Sequence, residues 1–304
     1  MSRIRRAMLA IGAIAAGGAG VAGIAAVAHA EPVQQFSFQL SDTTADGRFT
    51  VTFTSRAFDT TGGPPPELRE NWLRMPGGAR LRREFLRPSF WCDGGALINA
   101  ASWADPQPRL YNVLRNLDPA IRVMRRTART RQERRFLATL QTCRRAQIGA
   151  GTALIDSRPG IEDVFPADLF IYFGRPIRRG DVASLSIVGI PQQDSAAVRR
   201  RDILIRGRAD VSLRIVNDPS PDGRYGYRMI LPTGRIQGFR VSVAQVEVKA
   251  PGLIMQKDGR ELFWFTRPTC PASGLISFEA FYGYDPPTED ITRQASNPCP
   301  RYGR

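Results

Sequence analysis

The chain has 304 residues, 42% of them hydrophobic, with 43 Lys+Arg against 28 Asp+Glu, a formal charge of +15 and a single histidine. That balance describes a folded protein of one or two domains and excludes disordered and collagen-like classes. His29 falls in a segment expected to be removed, and the chain that remains has no imidazole for Ser-His-Asp or Cys-His catalysis, histidine metal sites or pH switching.

Residues 1–30 read as an export signal. Arg3, Arg5 and Arg6 supply the positive start, residues 7–27 an apolar Ala/Gly-rich run, and Ala28-His29-Ala30 a small-x-small cleavage site. The mature chain is therefore expected to start at Glu31, exported to the extracellular space or the cell envelope. An uncleaved N-terminal membrane anchor is the alternative, since such a run just reaches across a bilayer. Arg5-Arg6 leaves Sec and twin-arginine export both open. Cleavage removes three positive charges, and 15 − 3 leaves +12.

The mature chain begins with strict alternation. Phe36, Phe38 and Leu40, then Phe49, Val51 and Phe53, are each separated by polar residues, which predicts two half-buried strands in a hairpin turning near Asp46-Gly47. Pro64-Pro65-Pro66 reads as a stiff loop. Asp118 and Pro119 then open a helical pattern with apolar residues at Leu117, Ile121, Met124, Ala128, Phe136, Leu140 and Cys143, Gln132 bridging the gap. One amphipathic basic helix over 118–143 is expected, inserted in a strand-rich chain.

Strand-like runs follow at 148–155, 169–173, 182–190, 203–205, 211–216, 239–248, 262–265 and 276–284, separated by turn clusters. In the 239–248 run the apolar positions are odd at Phe239, Val241 and Val243 but even at Val246 and Val248, a phase slip that predicts a bulge near Ala244-Gln245. Asp285-Pro286-Pro287 reads as a turn. The pattern predicts a mainly β fold, an antiparallel β-sandwich with one inserted helix. One domain over 31–304 is favoured, and a division near 190–202 stays open.

Four cysteines in an exported chain indicate two disulfides, and three pairings are available. Pairing neighbours in sequence joins Cys92 to Cys143 and Cys270 to Cys299, and the helical pattern puts Cys143 on the buried stripe.

Charge is concentrated in one place. Between Arg109 and Arg145 lie 11 arginines against Asp118 and Glu133, nine units of the mature +12. Arg122, Arg125, Arg126, Arg129 and Arg134 on that helix are candidates for an anionic partner outside the cytoplasm: lipid head groups, an anionic envelope polymer or extracellular DNA. The export signal argues against cytoplasmic nucleic acid. The competing explanation is a G+C-rich coding sequence, since only Lys249 and Lys257 of the 43 basic residues are lysines.

Phe263, Trp264, Phe265, Phe278, Phe281, Tyr282 and Tyr284 either pack a core strand, the favoured reading, or expose rings to a sugar or lipid. Glu279 among them is the most enzyme-like carboxylate, with Asp285, Glu289 and Asp290 near in sequence, but a glycosidase needs a second acid at a set distance. Asp42 and Asp46 lack the acidic density of a calcium loop. Gly149-Ala150-Gly151-Thr152 resembles a phosphate loop without its lysine. Arg179-Gly180-Asp181 and Leu231-Pro232-Thr233-Gly234 are chance-level matches to an integrin tripeptide and a sorting signal. Nothing calls for a cofactor or a metal.

The run Cys143-Arg144-Arg145-Ala146-Gln147-Ile148-Gly149-Ala150-Gly151-Thr152-Ala153 resembles a Cys-Pro-x-x-Ala-x-Val-Gly-x-Gly-x-Ala pattern. With Cys92, Tyr225-Gly226-Tyr227, Leu231-Pro232, Cys270-Pro271-Ala272-Ser273-Gly274, Phe278-Glu279-Ala280 and Pro298-Cys299-Pro300, it resembles a group of exported actinobacterial proteins of no assigned activity. The resemblance implies a secreted β-rich fold with paired cysteines and carries no catalytic residues. Arg144 stands where that pattern has Pro, and the stretch from Cys92 to Cys143 is longer than in the group. The expected function is a secreted, non-catalytic envelope or extracellular binding protein. A carboxylate-based hydrolase of extracellular carbohydrate and a purely structural surface protein are the alternatives.

Overall fold

Alternation becomes structure first in a hairpin: β1 (Pro32–Ser41) pairs antiparallel with β2 (Thr50–Asp59), setting Phe38 opposite Phe53 and Phe36 opposite Ser55. The computed structural model describes residues 32–41, 50–59, 68–104, 110–156, 164–192, 209–231, 235–236, 239–240, 242–250, 254–257, 260–263 and 270–299. The export signal and its cleavage site, Asp42, Asp46 and Gly47, the proline run at 64–66, Pro232 to Gly234, Trp264 and Phe265 lie outside the described residues, as do the strand expected at 203–205 and most of the stretch at 190–202.

The hairpin opens a sheet continued by β3 (Leu68–Pro76), β4 (Gln147–Asp156), β5 (Val164–Gly174), β6 (Asp181–Pro191), β7 (Ala209–Asn217) and β8 (Tyr225–Leu231). Two short pairs stand apart from it, β9 (Arg235–Ile236) with β10 (Phe239–Arg240) and β12 (Ile254–Lys257) with β13 (Arg260–Phe263). β11 (Ser242–Ala250), β14 (Leu275–Tyr284) and β15 (Ile291–Pro298) complete it. The strand order is β1-β2-β11-β4-β5-β6-β7-β8-β3-β14-β15, every neighbouring pair antiparallel. The fold is thus mainly β, as expected, with its eleven long strands in one sheet. That sheet is nearly closed and barrel-like. Asn297 Nδ2 donates to Phe38 O at 2.6 Å and Arg293 Nε to Gln34 O at 2.9 Å, so side chains of β15 bridge to the β1 edge. Capping edge carbonyls in this way blunts two edges that would otherwise template further strands.

Register decides what faces inward. Phe38, Leu73, Ile276, Phe278, Ala280, Tyr282 and Tyr284 form one buried cluster, the even-numbered face of β14 lying against β1 and β3. Two side-chain hydrogen bonds lie beside it: Gln34 Nε2 donates to Tyr284 Oη at 2.5 Å, and Tyr282 Oη shares a hydrogen bond of 3.0 Å with Ser55 Oγ. Burial pushes the Tyr282 phenol up to about 12.

A second cluster lies under the helices. α1 (Gly94–Ala104), α2 (Leu110–Arg115), α3 (Leu117–Thr127) and α4 (Arg131–Ala146) separate β3 from β4 in the chain and pack on β5 and β6. Gly94 N at the start of α1 donates to Ser186 Oγ at 3.1 Å, and Ser186 stands opposite Tyr172. β5 is buried along most of its length, with Phe170, Ile171, Tyr172 and Phe173 all in the cluster shared with the helices. Its unbroken apolar run has that cause.

The single helix expected at 118–143 is two. Thr130 Oγ1 accepts from Glu133 N at 3.2 Å and Glu133 Oε2 accepts from Thr130 N at 2.6 Å, a capping box that starts a new helix after Ala128-Arg129. Gln132 is exposed, so the stripe does not run through it. The α3 cap is Asn116, whose Oδ1 accepts from Asp118 N at 3.2 Å, two residues earlier than expected. The helical insertion is also larger than expected, since α1 and α2 precede it. The expected bulge is present: the β11–β4 register shifts between Val243 and Gln245.

Both expected disulfides form, Cys92–Cys143 with Cα atoms 4.6 Å apart and Cys270–Cys299 at 5.8 Å. Residues 31–304 make one compact unit, and β6 and β7, which flank the stretch at 190–202, are direct neighbours. Among the described residues no helix is long and apolar enough to cross a membrane.

Cys92 and Cys143 close a 51-residue separation and are buried, so replacing both with Ala is expected to lower unfolding stability by about 4 kcal/mol in a denaturant titration. Thr130→Ala is expected to cost about 1 kcal/mol through the lost cap, without changing the strand content seen by circular dichroism.

Candidate functional site

Two surfaces gather side chains capable of recognition. The first is the solvent side of α3 and α4. Leu117, Ala120, Ile121 and Met124 bury one side of α3, and Leu140, Cys143 and Ala146 one side of α4, which turns the arginines outward by helical geometry. Arg122, Arg125, Arg126, Arg129, Arg131, Arg134, Arg135 and Arg145 are all exposed. The two acids of the segment are engaged elsewhere. Asp118 takes a bidentate pair from Arg144, at 2.9 and 3.3 Å, which ties α3 to α4. Glu133 is held in the capping box, where the Thr130 and Arg129 N–H groups keep its carboxyl below the usual range. Arg144, through its hydrogen bonds, does the same to Asp118. Among the described residues the eight exposed arginines have no carboxylate within ion-pair distance, and Arg134 Nη1 donates instead to Arg129 O at 2.6 Å. Val123 sits among them, 52% exposed.

The second surface is the outer face of β8, β3, β14 and β15, away from the helices. Arg74 is its hub. Arg74 Nε donates to Asp218 Oδ2 at 2.8 Å and Nη1 to Glu279 Oε1 at 3.1 Å, while Gln294 Nε2 donates to Glu279 Oε2 at 2.8 Å. The Arg74 guanidinium lies 5.0 Å from the Trp72 ring and 5.8 Å from the Tyr225 ring. Trp72 stands opposite Phe281 in the ladder and the two rings stack at 5.0 Å. The Arg228 guanidinium lies 5.8 Å from the Trp72 ring, and its Nε is 3.5 Å from Asp218 Oδ2.

These surfaces sort the sequence candidates. Phe278, Tyr282 and Tyr284 are core, as favoured, whereas Phe281 faces outward. Glu279 does not stand alone: it shares Arg74 with Asp218, and both carboxylates already accept hydrogen bonds from that guanidinium. Asp285, Glu289 and Asp290 are exposed at the following turn, where Asp290 accepts from Arg69 Nη2 at 2.7 Å and from Tyr284 N at 3.0 Å. The glycine run at 149–152 lies inside β4 rather than at a helix start. A Cβ on Gly151 would fall 2.1 Å from Glu247 O, so close strand packing accounts for that glycine. The Asp181 side chain of the Arg-Gly-Asp run is fully covered, taking hydrogen bonds from Arg214 Nη2 at 2.7 Å and Arg178 N at 2.7 Å. No group of three or more metal-ligating side chains occurs among the described residues.

Trp72, Arg74 and Arg228 were not singled out from the sequence, and Tyr225 was named only within the resemblance. β3 carries large residues on both faces, Leu73 and Met75 inward and Trp72 outward, which masks its alternation. Comparison of the chain with protein-family models, with curated proteins and with solved structures gives no match.

Burial by itself raises the Asp181 carboxyl, but hydrogen bonds from Arg214, Arg178 N and Ile177 N, with the Arg214 charge, outweigh it and hold the folded-state value below 3.8. A depressed carboxyl stabilises fully above its unfolded value and loses that contribution as pH falls through its folded value. Melting temperature should therefore drop as pH falls through and below the ordinary carboxylate range, and Asp181→Asn should flatten that slope while lowering stability at neutral pH. An unaltered acid-side slope in the variant would show that Asp181 carries none of it.

Proposed function

We propose that the chain is an exported, non-catalytic binding protein of the cell envelope or extracellular space, holding anionic groups on the arginine face of α3 and α4. The partner is an anionic envelope polymer or a layer of lipid head groups. One observation carries this reading: eight exposed arginines stand on a rigid helix pair whose only two acids are engaged in the cap and the helix–helix tie. Charges that no internal carboxylate neutralises remain available to an external one. Arg122 and Arg126 stand one helical turn apart on α3, and Arg125 lies beside them.

Export is supported by the positive-apolar-small order of residues 1–30 and by two disulfides, which persist in oxidising compartments. The resemblance to exported actinobacterial proteins points the same way. We further read the curled sheet as flattened, its opposed halves packing like the layers of a sandwich. Phe38 of β1 stacked on Phe278 of β14 supports that reading.

The test is partitioning of the purified protein onto phosphatidylglycerol vesicles, with phosphatidylcholine vesicles and soluble polyphosphate as the other arms. Each arginine near an anionic surface contributes about 1 kcal/mol. Converting Arg122, Arg125, Arg126, Arg129 and Arg134 to Glu should therefore lower binding to the anionic arms more than tenfold at low salt. Vesicle binding without polyphosphate binding identifies head groups, and the reverse a polymer. Equal retention of wild type and variant on both arms would refute the proposal.

A further inference from the structure

We propose that the outer sheet face around Arg74 is a second binding site, separate from the arginine helices, for a neutral hydroxyl-bearing ligand of the saccharide class. Its construction begins with an irregularity. Met75 pairs with Tyr227 but Pro76 pairs with Tyr225, so Gly226 is an extra residue in β8. Such a bulge turns the following side chain to the opposite face. Tyr225, which simple alternation would send inward with Tyr227, instead lies on the Arg74 side, with the guanidinium over its ring.

The group so assembled contains three cations, Arg74, Arg228 and the Arg224 that acts on the Tyr225 phenol, and three anions, Asp218, Glu279 and the Asp222 paired with Arg224 at 3.3 Å, and is neutral overall. It also contains two buried donors without an acceptor: Tyr225 Oη, in a residue only 5% exposed, and Arg228 Nε, whose contact with Asp218 lacks hydrogen-bond geometry. Buried donors are seldom left unpaired, and two in one cluster indicate an acceptor supplied from outside. The Tyr225 phenol is raised first by burial and then by the Glu279 charge, opposed by Arg224 and by the Arg74 charge. An incoming phosphate or carboxylate would satisfy the donors but would meet Asp218 and Glu279. A hydroxyl accepts from Tyr225 or Arg228 and donates to a carboxylate in the same stroke, so ring hydroxyls fit the mixture and anions do not.

Beside the polar group runs an apolar row. Ile230, Trp72 and Phe281 stand side by side across β8, β3 and β14, all partly exposed. Trp72 is stacked on Phe281 with Arg74 and Arg228 against its ring, so Phe281 and Ile230 are the members of the row that suit the C–H face of a sugar ring, while the Arg74 row suits its hydroxyls. The strands carrying both are paired in the sheet, which holds the two rows in fixed relation.

The experiment is retention of the full exported chain on an array of neutral oligosaccharides, read together with thermal melting. At least one neutral glycan should be retained. Tyr225→Phe deletes only the unpaired hydroxyl, so it should leave the melting temperature unchanged or raise it while lowering glycan retention at least threefold. Arg228→Gln should lower retention further. The arginine-face variant should retain glycan as the wild type does, which separates this site from the first. The proposal fails if no neutral glycan is retained, or if retention is the same in wild type and Tyr225→Phe.

Discussion

The bond between Cys92 and Cys143 closes the helical insertion over the sheet. Cys92 precedes α1 and Cys143 lies near the end of α4, so the bridge joins the two ends of a four-helix excursion. Cys92 N also donates to Phe173 O at 2.8 Å, which fastens the same point to β5. Everything on the insertion depends on this closure. Without it the apolar sides of α3 and α4 would have to find β5 and β6 against the entropy of a long free loop. With it they form the roof of a core that includes Tyr172, Phe173, Leu97, Leu114 and Leu140, all nearly free of solvent contact.

The chemistry of the two surfaces differs for a local reason. On the helices, the two acids are used by structure, Glu133 for a cap and Asp118 for the tie to Arg144, so the remaining arginines present uncompensated charge. On the sheet, register alone brings acids and arginines of distant sequence into alternation: Arg74 meets Glu279 across 205 positions and Asp218 across 144. One surface is suited to long-range attraction, which salt screens, and the other to short-range hydrogen bonding, which salt hardly touches.

Several features were legible in the residues. Alternating Phe and Thr gave the first hairpin, the phase slip at 243–246 gave the bulge, and the apolar stripe put Cys143 on a buried side. Other features were hidden by competing signals. The Thr130-x-x-Glu133 capping box was present but was overridden by an apolar spacing that continued across the break. β15 reads ITRQASNP, an edge strand whose exposed residues carry no hydrophobic period. The outer-face site was invisible because its members come from β8, β3, β14 and the turn before β8, and no spacing rule links them.

By itself the sequence determined composition-level and local properties: the single histidine, the even cysteines, the clustered arginines and the two-residue period of the strands. These depend on residue type and near neighbours. Only the tertiary structure decided that eleven strands form a single, nearly closed sheet, that one helix is two, and that Tyr225 turns toward Arg74. Those outcomes depend on pairings between strands far apart in sequence, where one inserted residue exchanges the two faces.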